Sequence, residues 1–170
     1  MSEATHRLQL DQIRDGDRID FNANAEELAA IAERLRLVSL DRLDAHTVLT
    51  RDGDKVKATG RLKASFSQAC VATGEPVAQH VDEAFDLSFV PASTAEEELE
   101  LAADQLDTIF HDGQAIDLGT AIADTLALAL DPYPRSPAAD DALREAGVLS
   151  EEEAGPFAAL AALKAKMSGD

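Results

Sequence analysis

Apolar and polar residues alternate with a period of two over much of the stretch from Arg61 to Phe89, on either side of a short elbow at Cys70 to Pro76. Before the elbow, Leu62, Ala64 and Phe66 share one face, opposite Arg61, Lys63, Ser65 and Ser67. After it, Val77, Val81, Phe85, Leu87 and Phe89 share one parity, and His80, Asp82, Asp86 and Ser88 the other. Alternation over this length predicts half-buried antiparallel strands with one wet face. Thr73-Gly74-Glu75-Pro76 supplies the turn: glycine tolerates positive φ, and proline presets φ while removing a donor.

The rest of the chain reads around this strand–turn–strand unit. Leu8, Leu10 and Ile13 predict an opening strand, with a turn at Gly16-Asp17 and an extended segment through Ile19 and Phe21. Asn22 or Asn24 caps a helix over about 25–36. Asn24-Ala25-Glu26-Glu27 has capping-box spacing, and Leu28, Ile31, Ala32 and Leu35 follow at helical intervals. Glu26 and Glu27 in its first turn and Arg34 and Arg36 in its last complement the helix dipole. Asp52-Gly53-Asp54 between extended runs signals a hairpin, so three or four sequential antiparallel strands lie between about 38 and 90. Short strands follow at Ile109-Phe110 and Ile116-Leu118. A second helix over 118–130 places Leu118, Ile122, Leu126 and Leu130 in one ridge and stops before Pro132. The expected fold is α+β: an antiparallel meander, two main helices packed on it and a short C-terminal helix. Residues 1–137 read as one domain with a mobile acidic segment near 91–106. Residues 138–155 read as a weakly structured acidic linker, and 156–170 as the short helical segment.

Composition limits the core. Apolar content is 45% but aromatics are only 4%, so Leu, Val, Ile and six Phe must fill it. No apolar run approaches the roughly 20 residues that cross a bilayer, and the opening residues lack a charged-then-apolar leader pattern. A single cysteine forbids an intrachain disulfide and fits a reducing cytoplasm. Charge changes the picture further. The net charge is −18, yet residues 1–63 hold 11 Lys and Arg against 12 Asp and Glu. From Ala64 to Pro134 there are 14 acids and no Lys or Arg. Such a middle repels phosphate and attracts basic proteins, unless its charge serves solubility alone.

The run Gln68-Ala69-Cys70-Val71-Ala72-Thr73-Gly74-Glu75-Pro76-Val77 resembles the centre of the YceD family. Asp117-Leu118-Gly119 leading to Ala129-Leu130-Asp131-Pro132-Tyr133-Pro134, and the terminal Pro156-Phe157-Ala158-Ala159-Leu160-Ala161-Ala162-Leu163-Lys164, resemble later blocks of that family in the same order. The resemblance implies an accessory role in accumulation of large-subunit (23S) ribosomal RNA, with no known catalytic activity. Many family members carry C-x-x-C at the elbow, where this chain has Thr73 in the second position. A small basic zinc-ribbon ribosomal protein encoded beside many of them is the partner that the resemblance suggests.

Candidate chemistry is sparse. One Cys and four scattered His do not make a tetrahedral zinc site, so no metal or cofactor is expected. Cys70 as a nucleophile needs a nearby base, and His80 lies ten residues on; a buried structural thiol is the expected role. With no phosphate loop, no metalloprotease or hydrolase motif and no basic–aromatic interleaving, no enzyme is expected. Two readings remain. In the first, the acidic middle, including Glu96, Glu97 and Glu98, and a tail face of Phe157, Leu160 and Leu163 bind a basic ribosomal protein. In the second, Arg51, Lys55, Lys57, Arg61 and Lys63 form a basic strand face that binds RNA directly. Cross-strand pairing of those bases with Asp82, Glu83 and Asp86 is the structural alternative to any ligand site. The elbow motif itself is carried by Cys70, Gly74, Glu75 and Pro76.

Overall fold

The long hairpin of β3 (Ser39–Asp52) and β4 (Lys55–Ala69) turns at Asp52-Gly53, where Gly53 adopts φ 61°. The structure is a computed structural model that describes residues 6–92, 107–148, 155 and 157–169. Its contacts divide it into Met1–Gln68 with Ala78–Pro132, and Ala69–Val77 with Tyr133–Asp170.

In the first unit the sheet order is β2-β3-β4-β5-β6, with β2 at Asp17–Asn22, β5 at Pro76–Pro91 and β6 at Thr108–His111. The predicted antiparallel meander is present. Side-chain pairs Lys57–Asp86, Arg61–Asp82 and Ser65–His80 descend on β5 as they ascend on β4, the mark of antiparallel neighbours. On β4, Val56, Ala58, Leu62, Ala64 and Phe66 are buried on one parity, as the alternation requires, and Phe85, Leu87 and Phe89 answer them on β5. On β3 the parity switches from Leu40 to Leu43, Ala45 and Leu49 because a bulge interrupts the register between Leu40 and Arg42.

β6 was not foreseen in its direction. It runs parallel to β5 over Ser88–Pro91. A parallel partner needs a connection of about a dozen residues or more, and the chain between Pro91 and Thr108 supplies that length.

The helices follow their sequence signals. α1 (Ala25–Leu35) starts at the capping box: Asn24 Oδ1 accepts the Glu27 amide at 3.0 Å, and Glu27 Oε2 accepts the Asn24 amide at 2.8 Å. α2 (Leu118–Ala129) is capped by Asp117, whose carboxylate accepts the Thr120 amide and hydroxyl. Its ridge of Leu118, Ile122 and Leu126 is fully buried in the same core as Phe21, Ile31, Leu43 and Phe66. The opening strand is shorter than expected. β1 (Arg7–Gln9) pairs with β7 (Ala115–Asp117), and the chain then coils into a 3-10 turn over Leu10–Gln12. Leu10 and Ile13, three apart, both enter the core through that turn.

In the second unit, α3 (Ala139–Glu145) forms where the sequence suggested a weakly structured linker. Ala139 is its buried residue, and Asp140, Asp141 and Arg144 suit its two ends. The C-terminal helix α4 spans Ala158–Met167.

Candidate functional site

Three places carry the residues singled out by the sequence: the elbow, the outer surface of β4 and β5, and the tail helix. At the elbow the loop closes on itself. The Cys70 amide donates to Glu75 O at 2.7 Å, the Gly74 amide to Cys70 O at 2.9 Å, and Gly74 takes φ 74°. The Cys70 thiol is buried and its sulfur accepts backbone N–H groups from Thr73 at 3.4 Å and Ser136 at 3.3 Å. Thr73 Oγ1 and Ser136 Oγ are 3.3 Å apart. Hydrogen bonds from Ser136, through side chain and amide, and then from Thr73 favour the thiolate, bringing Cys70 down to about 6 against the opposing effect of desolvation. Ser136 is the elbow residue that sequence reasoning missed. Only its place after Pro132-Tyr133-Pro134, in a block quoted for the family resemblance, pointed near it.

Among the described residues, the thiol's hydrogen-bond partners are Thr73 and Ser136, not a histidine. His80, the suggested partner, has its Nδ1 3.0 Å from Ser65 Oγ. His111 is buried: its Nδ1 accepts the Gly113 amide, so Nε2 carries the hydrogen and donates to Asp54 O at 2.8 Å. Among the described residues, no three His, Cys, Asp or Glu side chains are placed to hold a metal ion. No described helix is long and apolar enough to cross a membrane.

Most bases of the suggested RNA-binding face are engaged within the chain. Arg51 donates to the carbonyls of Leu10, Ile13 and Gly53, fastening the 3-10 turn to the β3–β4 hairpin. Lys57 Nζ lies 3.1 Å from Asp86, and Arg61 is bonded to Asp82. The Arg61 guanidinium holds the Asp82 carboxyl below its usual range, with Lys63 adding to the effect, and Asp82 raises Arg61 in return. Lys55 also has an interaction partner. Two of the expected cross-strand pairs are therefore formed, Lys57 with Asp86 and Arg61 with Asp82.

Beyond β5 lies an open groove of about 750 Å³. Phe85, Leu87, Ile109 and Ala121 form apolar parts of its lining, and Leu128 of α2 stands 84% exposed beside it. Four carboxylates, Glu83, Asp86, Asp107 and Asp124, share the lining, and no Lys or Arg does. Asp86 is paired with Lys57 and Asp124 with Arg34 at 2.9 Å. The sequence showed the acidity here but not the cavity, because the parallel placement of β6 creates it.

On the tail, Phe157, Leu160 and Leu163 are exposed, with Met167 continuing the spacing. Glu96, Glu97 and Glu98 lie outside the described residues. A family model described as "Large ribosomal RNA subunit accumulation protein YceD" matches residues 58–164. That range takes in the elbow, the groove and all but the last turn of the tail helix. No curated protein and no solved structure matches the chain.

Proposed function

Because the chain belongs to the YceD family of large ribosomal RNA subunit accumulation proteins, we propose that it is a non-enzymatic accessory factor of large-subunit biogenesis in the cytoplasm. It acts by binding a basic ribosomal protein, and affects 23S ribosomal RNA through that protein. One observation carries this choice of partner: three of the five bases suggested for RNA are engaged by carboxylates and carbonyls of the same chain, with Lys57 on Asp86, Arg61 on Asp82 and Arg51 on three backbone oxygens. From Ala64 to Pro134 every charged side chain other than histidine is acidic. Such a surface accelerates encounter with a polycation and opposes approach of phosphate. Phe157, Leu160 and Leu163 supply apolar area for the same partner, and Glu96, Glu97 and Glu98 add to its attraction.

The test is affinity capture of the full chain from growing cells, with and without nuclease, scored for individual large-subunit proteins. Retention of a basic ribosomal protein after nuclease is the expected result, together with reduced 23S RNA when the gene is removed. Capture that disappears with nuclease, combined with direct binding of the purified chain to 23S RNA fragments, would replace this reading with RNA binding through Arg51, Lys55, Lys57, Arg61 and Lys63.

A further inference from the structure

β5 is paired unequally on its two sides. β4 accompanies it on one side, with side-chain pairs from Lys57–Asp86 to Ser65–His80. On the other, β6 covers only Ser88–Pro91. Among the described residues, the outer edge of β5 over 78–87 has no strand beside it. Main-chain N–H and C=O groups alternate outward along such an edge, and proteins ordinarily cover, charge or pair it. The groove begins at this edge: Glu83 to Leu87 form one wall, Asp107 to Ile109 one end, and Ala121, Asp124, Thr125 and Leu128 of α2 the facing wall.

The geometry points to a strand-addition site: an extended, Lys- and Arg-bearing segment of a protein pairs with the open edge of β5, in the groove facing α2. This rests on the proposed function and names the surface that meets the basic partner. Three features select that occupant. The edge, unpaired among the described residues, offers main-chain hydrogen bonds to an extended backbone. Phe85, Leu87 and Leu128 offer apolar contact to alternate side chains, which in a strand point to opposite faces. Glu83 and Asp107, the lining carboxylates outside the pairs of Asp86 with Lys57 and Asp124 with Arg34, favour cationic side chains on that segment. Residues 82–87 span roughly 20 Å of strand at about 3.3 Å per residue, enough to register a short segment.

The probe is a fluorescein-labelled peptide of alternating Lys and Val, about as long as the open edge, titrated with the full chain by anisotropy. Glu83→Lys with Asp107→Lys should weaken it at least about tenfold, and Leu128→Arg several-fold, all at exposed positions. Asp11→Lys with Asp41→Lys changes net charge equally on exposed residues elsewhere and should leave the affinity within about twofold. N-methylation of alternate peptide amides, on the edge-facing side, should abolish binding. Equal loss in the control pair, or tight binding of the N-methylated peptide, would overturn the site. So would binding of a single-stranded RNA with the same variant dependence, or self-association of the chain that the Leu128 change disrupts. The same variants, carried through nuclease-treated capture, separate the two proposals. A ribosomal protein retained equally by wild type and groove variants refutes the groove and leaves the function standing. Wild-type chain that retains none refutes the function, and the peptide titration then decides the groove alone.

Discussion

Among the glycines described, Gly60 is the one where an added Cβ meets its nearest neighbour most closely. It sits in β4 opposite Thr47, in a register that keeps β3 and β4 in close pairing. A Cβ added there would lie 2.0 Å from His46 O, 3.0 Å from His46 C and 2.9 Å from Phe85 Cζ. The phenyl tip has some freedom to move; the carbonyl does not, because it belongs to the hairpin backbone. Reaching the 3.0 Å limit of real contacts requires the strands to part by about an ångström, at the expense of neighbouring ladder bonds. Overpacking usually costs about 1–3 kcal/mol, and a rigid backbone neighbour places this site at the upper end. Alanine lowers the entropy of the unfolded chain and returns about 0.4–1 kcal/mol. Gly60→Ala should therefore destabilise by about 2 kcal/mol, or roughly 4–8 °C in Tm for a chain of this size. Urea unfolding followed by circular dichroism measures it directly. Phe85→Ala in the same background should recover little, because the oxygen remains. A Gly60→Ala protein within about 0.5 kcal/mol of wild type, or full rescue by Phe85→Ala, would refute the backbone clash.

The remaining predictions address single side chains. Thr47 is fully buried and its hydroxyl has no hydrogen-bond partner among the described residues, so Thr47→Val should stabilise by about 1 kcal/mol; a loss of stability in urea would show that the hydroxyl is satisfied. Cys70 stands at about 6 when folded, against 9.0 for a free thiol. The unfolded state binds the extra proton between those values, so the thiolate's contribution is complete above about 9 and lost as pH falls through 6. The Tm gap between wild type and Cys70→Ala should widen from pH 6 to 9, and a gap that is flat or narrows contradicts the hydrogen-bonded thiolate. Phe157 is 71% exposed, so Phe157→Ala should leave stability within about 0.5 kcal/mol while capture of ribosomal protein falls; lost stability with capture intact would assign the ring to the fold.

What was legible in the sequence depended on whether one segment held the whole signal. The α1 capping box, the Asp117 to Leu126 helix and the face of Leu62, Ala64 and Phe66 are local, and each appears where the residues place it. The bulge between Leu40 and Arg42 was hidden, since one extra residue reverses parity without a distinctive residue type. The parallel pairing of Ser88–Pro91 with Thr108–His111 was hidden for a different reason. A four-residue apolar strand carries no mark of direction, and direction is set by the connection that precedes it. The groove inherits that invisibility. At the elbow, Thr73-Gly74-Glu75-Pro76 announced the turn, but the donor from Ser136 comes from 66 residues away.

The division of charge along β5 bears on function more than the total of −18 does. Asp82 and Asp86 meet bases on β4, so their charge is spent within the sheet. Exposed pairs of this kind add little stability, typically under about 1 kcal/mol each, but they fix which way the remaining field points. Glu83, one residue out of phase with those acids, belongs to the opposite face of the strand. It lines the groove with Asp107. A cation approaching the β4 side meets alternating signs, whereas one approaching the groove meets carboxylates over apolar side chains. Added salt should therefore weaken a basic ligand in the groove, since screening acts on exposed carboxylates, while the apolar contacts with Phe85, Leu87 and Leu128 keep a residual affinity. Reversing Arg61 and Asp82 together, a pair outside the groove lining, preserves the net charge and the pair. It should leave ligand binding nearly unchanged, whereas reversing Glu83 alone should not.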